Sequence, residues 1–191
     1  MVEKEQLNYY HRLYEVAEAV NSARTPDAVR RSLVENMAKA LQSKACSIML
    51  LTPDRKRLLH TVAYGLSDWY VRKGPVSVDK SISEALDGKP VAVLDATEDE
   101  RVQYRKQAKR EGIASILSVP IMLRGQIIGV IRVYSEEPRE YTEDDMYFAR
   151  GVANLGAIAL ENARVYDSLQ KEFEAFKRDI LDWRFMGGLH R

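Results

Sequence analysis

Arg132 is the residue whose position asks most of its surroundings. It sits inside the apolar run Gln126-Ile-Ile-Gly-Val-Ile-Arg-Val-Tyr134. A strand's period of two puts it on the same side as Ile128 and Val130. A guanidinium there either lies at a solvated sheet edge or faces a polar cavity, because an unpaired buried charge is costly. Cys46, the single cysteine, lies in another apolar run, Ala45-Cys-Ser-Ile-Met-Leu-Leu51. It has no cationic neighbour in sequence to lower its pKa, so it reads as a small core side chain. One cysteine also excludes an internal disulfide framework. His11, His60 and His190 are scattered without metal-ligand spacing, and His60 reads as a strand surface residue. Arg101, Arg105, Lys106, Lys109 and Arg110 make one short helix locally basic, the pattern of a solvated face.

The elements that position Arg132 can be read outward from it. Ser115 to Tyr134 forms two Ile- and Val-rich strands joined by a tight turn at Arg124-Gly125. Gly129 weakens the second strand and predicts a close approach by another group. An isolated hairpin is marginal in water, so this one needs a sheet and a covering layer. Ala45–Leu51 and Leu58–Tyr64 supply two more strands around the turn Pro53-Asp54-Arg55-Lys56. Cys46, Ile48 and Leu50 face one way, and Ser47, Met49 and Leu51 the other. Pro90 to Leu94 adds a further core strand, with Pro90 at its start, where a missing N–H is tolerated. Asp68-Trp69-Tyr70-Val71, Asp79 to Leu86 and Arg101 to Glu111 read as short helices around an acidic loop, Asp95 to Glu100.

Long helices flank this core. Leu7, Tyr10, Tyr14 and Ala17 recur at helical spacing in the first. Thr25-Pro26-Asp27 starts a second: a Thr N-cap, Pro at the first helical position and an acid facing the dipole. Its buried face is Val29, Leu33, Met37 and Leu41. Thr142-Glu143-Asp144-Asp145 opens a third, and no proline interrupts it as far as Trp183. A helix of about forty residues is far longer than the average, so it outlasts a small domain. Val152, Leu155, Ala159, Asn162, Tyr166, Leu169, Phe173, Phe176, Ile180 and Trp183 alternate by three and four along it, a heptad seam with Asn162 at a d position. This predicts a parallel homodimer through Leu169, Phe173, Phe176, Ile180 and Trp183. Gly187-Gly188 and the residues after them are expected to fray.

The whole chain is consistent with one domain and its extensions: 1–24 an N-terminal helix, 25–165 the domain, 166–191 a helical extension. The 191 residues carry 29 basic and 28 acidic side chains, net +1. That balance gives no general nucleic-acid or membrane-surface binder. The charged N-terminus is not a signal peptide, and no apolar run reaches membrane-spanning length. The expected location is the cytoplasm.

Strands joined by hairpins give an antiparallel sheet covered on one face by long helices, an α+β fold. Four segments in this order resemble the GAF domain family. They are Leu86-Asp-Gly-Lys-Pro-Val-Ala-Val-Leu-Asp95, Ser115-Ile-Leu-Ser-Val-Pro-Ile121, Gly125-Gln-Ile-Ile-Gly-Val-Ile131 and Tyr141-Thr-Glu-Asp-Asp145. The likeness runs from about Thr25 to Tyr166. It implies a central sheet of five to six strands, the terminal helices on one face and a small-molecule pocket with short helices on the other. Carried over by position, the pocket floor is Ser47, Ser115 and Arg132. Its rim is Ala63, Tyr64, Ile82 and Ser83, and its lid is Asp95 and Tyr104.

The same resemblance implies a sensory module that relays ligand state through a dimeric C-terminal helix, and not an enzyme. Members that bind cyclic nucleotides carry an Asn-Lys…Phe…Asp-Glu signature; here Ser135-Glu136 stands in the Asn-Lys place. The free-methionine-sulfoxide reductases of the fold are the enzymatic alternative, but they exchange several cysteines, and Cys46 alone cannot form that pair within one chain. Phytochrome-like members attach a bilin to a cysteine near the pocket. Haem-binding members need an axial histidine, for which only His60 lies in the matched core. No cofactor is assigned. A ligand-free dimerisation scaffold is the third reading. Arg132 should face the pocket, with Ser115 among its neighbours on the adjoining strand. Arg132 is paired by Asp95 or, if Asp95 does not reach it, by a carboxylate or phosphate on the ligand. Tyr64, Trp69 and Tyr104 at the rim would favour a flat or aromatic body behind that anion.

Overall fold

The computed structural model describes residues 2–186 apart from 24 and 82; the side chains of 2–8, 80, 81, 83, 179 and 181–186 lie outside the description. Two helices open the chain, α1 (Val2–Ser22) and α2 (Pro26–Ala40). The strands β1 (Ala45–Leu51) and β2 (Arg57–Tyr64) follow, then α3 (Asp68–Val71), β3 (Val76–Ser77), α4 (Val78–Ser81), α5 (Ser83–Leu86) and β4 (Val91–Val93). Next come α6 (Arg105–Glu111), the hairpin β5 (Ser115–Leu123) and β6 (Gln126–Ser135), and α7 (Glu143–Met186). The strands form one six-stranded sheet in the order β3-β2-β1-β6-β5-β4, and every pairing is antiparallel. The fold is α+β with the sheet at its centre.

Local chemistry sets the helix ends. The Thr25 hydroxyl accepts the Ala28 N–H at 3.2 Å and starts α2. Thr142 and Asp145 exchange bonds at 3.1 Å, N–H to side chain in each direction, and start α7. Asp145 also accepts from the Tyr9 hydroxyl (3.0 Å) and from Arg139 (3.2 Å), whose guanidinium donates to the Leu41 carbonyl as well. One buried carboxylate thereby joins α1, the end of α2 and the start of α7. The expected helix from Arg101 is shorter. Asp99 takes the Arg101 N–H and guanidinium into a local turn, and regular helix begins only at Arg105. Asp79 to Leu86 is two single-turn helices. Val76–Ser77 is an edge strand that the sequence does not announce.

The helices α1, α2 and α7 pack on one face of the sheet. Their core includes Val16, Leu33, Met37, Cys46, Ile48, Leu117, Val119, Ile131, Val133, Phe148 and Val152. The opposite face carries two smaller apolar clusters, one around Tyr70, Ile116 and Tyr134, the other around Met49, Leu58, Val76 and Val130. Gly129 lies where β6 meets β1: a Cβ there would stand 2.3 Å from the Met49 carbonyl oxygen. Only a glycine permits this approach.

α7 is a single helix of 44 residues, about 66 Å long at 1.5 Å per residue. Val152, Ala153 and Ala157 are buried in the core, while Tyr166, Leu169, Phe173, Phe176 and Ile180 are exposed. The first turns of the heptad seam are therefore used by the domain itself, and the seam is open from Tyr166 onward. Trp183 and Gly187-Gly188 lie outside what is described at side-chain level. Among the described residues no helix is long and apolar enough to cross a membrane.

Candidate functional site

Strand register assembles a polar row on the sheet face turned away from the long helices. Ala63 pairs with Ser47, Ser47 with Arg132, and Arg132 with Ser118. Directly opposed residues of antiparallel strands share a face, so the row crosses β2, β1, β6 and β5. Ser47, Ser118 and Arg132 are buried. β6 is a central strand, so the edge alternative for Arg132 does not apply. Tyr134, two residues on, shares this face; its hydroxyl lies 2.9 Å from Ser47 Oγ and within hydrogen-bonding reach of Arg132. Burial is the main cause that pushes the Tyr134 hydroxyl's pKa up.

A bulge adds His60 to the site. β1 and β2 change register between Ile48, opposite Val62, and Met49, opposite His60. Thr61 is the extra residue, and its hydroxyl donates to the Ile48 carbonyl at 3.1 Å. Val62 packs toward the helices, while His60 turns to the Met49 side, which unbroken alternation forbids. Lys73, just after α3, lies with Nζ 3.0 Å from His60 Nε2 and donates to the Tyr70 carbonyl at 3.1 Å. It stands 3.7 Å from the Tyr70 ring centroid and 5.7 Å from that of Tyr104. Tyr70 meets Tyr134 edge to face at 6.2 Å.

Among the described residues, the charges acting on His60 and Lys73 are mostly positive. Burial, then the charges of Lys73 and Arg132, lower the His60 pKa to about 3, so the imidazole is neutral. Burial, then Arg132, lower Lys73 to about 7, against a partly offsetting Glu111. The Glu111 carboxylate is itself held by the Ser67 N–H (2.7 Å) and hydroxyl. Three basic side chains thus converge on a face where the acid acting on Lys73 is already engaged.

The expected pocket residues divide accordingly. Ser47, Ala63 and Arg132 come together in the row. Tyr104 stands beside it, its hydroxyl donating to the Pro75 carbonyl at 3.0 Å. Ser115 does not join them: it pairs with Ser135, and its hydroxyl donates to the Glu137 carbonyl at 3.0 Å. The residue of β5 opposite Arg132 is Ser118. Tyr64 pairs with Cys46, on the helical side of the sheet, and lies near Lys39 of α2. Asp95 is exposed, and its carboxylate accepts from the Thr97 N–H (2.8 Å) and hydroxyl (2.7 Å), which hold its pKa low. That leaves it engaged locally rather than with Arg132. Ile82 and the Ser83 side chain lie outside the described residues. Trp69 packs edge-on to Tyr70 and beneath Arg110. Ile128 is the extra residue of a second bulge and packs toward the helices, not beside Arg132.

Ser118, His60, Lys73, Tyr70 and Tyr134 are the members that sequence reading does not supply. Tyr134 alone carried a signal, two positions from Arg132. Cys46 is fully buried on the opposite, helical side, and burial pushes its thiol pKa far up. His60 Nε2, the position an axial ligand would use, is occupied by Lys73. Among the described residues no three His, Cys, Asp or Glu side chains are grouped to hold a metal ion.

Residues 23–161 match the family model of the GAF domain. The chain belongs to the GAF domain family. It is 29% identical over 174 residues to the methyl sulfide methyltransferase-associated sensor of Methanosarcina acetivorans, covering 87% of this chain and 17% of that protein. The chain thus spans about a fifth of the length of the curated relatives it matches. Among solved structures, the GAF domain of a phosphoenolpyruvate-protein phosphotransferase from Coxiella burnetii superposes with a TM-score of 0.75 at 20% identity, over 85% of this chain and 98% of that one. The free methionine-R-sulfoxide reductase of Neisseria meningitidis, solved with its substrate, gives 0.69 at 17% identity, over 83% and 91%. Sensory and regulatory proteins thus share this fold with at least one reductase.

Proposed function

We propose that this chain is the small-molecule-sensing domain of a signalling protein. Its ligand is held on the sheet face that carries Ser47, Ala63, Arg132 and Tyr104. Ligand state is relayed through a homodimer formed by the outer half of α7. One observation carries this reading: the buried row Ser47–Arg132–Ser118 in the middle of the sheet. Burying a guanidinium weakens a core relative to an apolar side chain of similar volume. A face that served only to complete the core would have no use for it, whereas a small-ligand site needs a few converging polar groups in apolar surroundings. Asp95 is engaged with Thr97, and we assign an acidic group on the ligand to Arg132 in addition to its contacts within the chain. The sensory relatives support the functional class, and the exposed apolar seam from Tyr166 to Ile180 supports the dimer. The proposed compartment is the cytoplasm.

The reductase alternative has little support from the site, since Cys46 is on the far side of the sheet from the polar row. Native mass spectrometry of protein purified without added ligand tests the proposal. The expected spectrum is a dimer carrying an additional small mass. A bare dimer would favour the scaffold reading, and a bare monomer would refute both binding and relay.

A further inference from the structure

We infer that the face formed by α3, α6 and residues 136–144 is a second self-association surface, which takes another copy of this chain across a two-fold axis. It is separate from the α7 seam and does not rest on the ligand-binding reading. α6 presents Arg105, Lys106, Lys109 and Arg110 to solvent, and Arg72, just after α3, is exposed beside them. Among the described residues none of these five cations is in an ion pair. The acids on the two helices are Asp68 and Glu111, and Glu111 is held by Ser67. Such a charge run alone is the pattern of a solvated face. The fold adds what lies next to it.

The chain leaves α6 at Gly112, where an added Cβ would stand 3.4 Å from Lys44 Nζ, and Lys44 pairs with Glu136 at 2.8 Å. From there the surface changes sign. Glu137, Glu140, Glu143 and Asp144 are exposed and, among the described residues, in no ion pair. Arg139 between them is turned to Asp145 and the Leu41 carbonyl. Trp69 lies close to the boundary: it is 36% exposed, and the Arg110 guanidinium stands 4.5 Å from its ring. A face with adjoining positive and negative halves is its own complement. A two-fold rotation lays each basic half on the acidic half of the other copy, and Trp69 supplies an aromatic anchor for the contact. A nucleic acid or an anionic membrane is the poorer occupant, because a polyanion that extends past α6 meets the four carboxylates. Glu143 and Asp144 open α7, about 29 Å along the helix from Ala163, beyond which the free arm begins. That separation lets both surfaces be used at once.

Sedimentation velocity of the full chain carrying Phe173→Ala and Phe176→Ala, which takes two rings out of the α7 seam, tests the surface by itself. We expect a monomer–dimer equilibrium with a Kd of about 10–500 µM, the range of small transient contacts. Raising NaCl from about 0.05 to about 1 M shortens the screening length to about 3 Å and should weaken the dimer at least about tenfold. In that background, Lys106→Glu with Lys109→Glu turns the basic half acidic, and Glu137→Lys with Glu140→Lys turns the acidic half basic. Each variant should be monomeric. Mixed one to one, the two are complementary again and should form a heterodimer about as tight as the parent's dimer. A chain with all four reversals exchanges its halves and should dimerise again, so a folding defect in one pair of substitutions does not decide the result.

A Phe173→Ala/Phe176→Ala chain that stays monomeric up to about 0.5 mM at low salt, or association that neither salt nor charge reversal alters, would overturn the inference and leave the ligand-binding and α7 readings standing. Complementary variants that stay apart when mixed would overturn it as well. A chain that does not self-associate, but binds an oligonucleotide or an anionic vesicle and loses that binding on Lys106→Glu with Lys109→Glu, would assign the basic half to a polyanion instead.

Discussion

Replacing Phe173 and Phe176 together by alanine should dissolve the proposed dimer while leaving the helix intact. Phe173 is 57% exposed and Phe176 62% in the single chain. Complete burial of a side chain of this size is worth about 1.5–3 kcal/mol, so the part still exposed represents about 1–2 kcal/mol each. A two-fold dimer buries four such side chains, and the double variant should lose about 4–8 kcal/mol of association free energy. At 1.4 kcal/mol per factor of ten, that weakens the dimer at least about a thousandfold. Alanine has the highest helix propensity, so lost association cannot be assigned to a melted helix. Sedimentation velocity over a range of concentrations reads the change, with circular dichroism to check helicity. A double variant that dimerises as tightly as the parent would refute the seam as the interface. A parent that stays monomeric at about 10 µM, where a stable interface should hold, would refute the dimer.

Further outcomes are expected of the fold. Gly129→Ala should cost about 3 kcal/mol or more in urea denaturation, because its Cβ meets the backbone of β1, which cannot move aside; a loss below about 1 kcal/mol would contradict this. Asp145→Ala should cost about 2–4 kcal/mol, since it leaves Arg139 without its carboxylate and removes the α7 cap; an unchanged midpoint would show the junction to be dispensable. Cys46 should resist thiol reagents until the protein unfolds, and Cys46→Ala should leave ligand binding unchanged; lost binding in a folded variant would revive a redox role. His60 is depressed from 6.5 to about 3 on folding, so the unfolded chain binds the extra proton between those values. The His60 contribution to stability should be fully present above about 6.5 and fall by up to about 1.4 kcal/mol per pH unit below it. His60→Gln should flatten that slope, and an unchanged slope would place the acid sensitivity elsewhere.

The parts of the fold that were legible in the sequence are those fixed by local chemistry. The Thr25 and Thr142 caps, the Arg124-Gly125 turn and the long proline-free helix each depend on residues a few positions apart. Gly129 was legible for a similar reason, since its missing side chain signals the close approach of β1. The candidate site was harder, because it is built by register between distant strands. Counting back from the Arg124-Gly125 turn without interruption places Leu117 opposite Arg132, and the bulge at Ile121/Met122 moves Ser118 there instead. The same kind of defect brings His60 inward and sends Ile128 outward. A bulge depends on how two strands meet across the sheet, and neither strand's alternation announces it. Lys73 lies in an irregular loop with no periodic pattern at all. α6 begins at Arg105 rather than Arg101 because Asp99 and Arg101 satisfy one another locally, a competition that charge counts do not resolve.

The continuity of α7 has a mechanical consequence. Its near end is clamped between the sheet and two other helices, and beyond Ala163 it runs on without a break to Met186. That free arm is 23 residues past Ala163, about 35 Å at 1.5 Å per residue. A pivot of about 5° at the clamp carries its tip sideways by about 3 Å, over half the 5.4 Å pitch of the helix. A rearrangement too small to disturb packing inside the domain would therefore arrive at the far end as a displacement on the scale of a side chain. The arm is a lever whose gain is set by its length, so shortening it by whole heptads should reduce the stroke in proportion while preserving the azimuth of its apolar stripe.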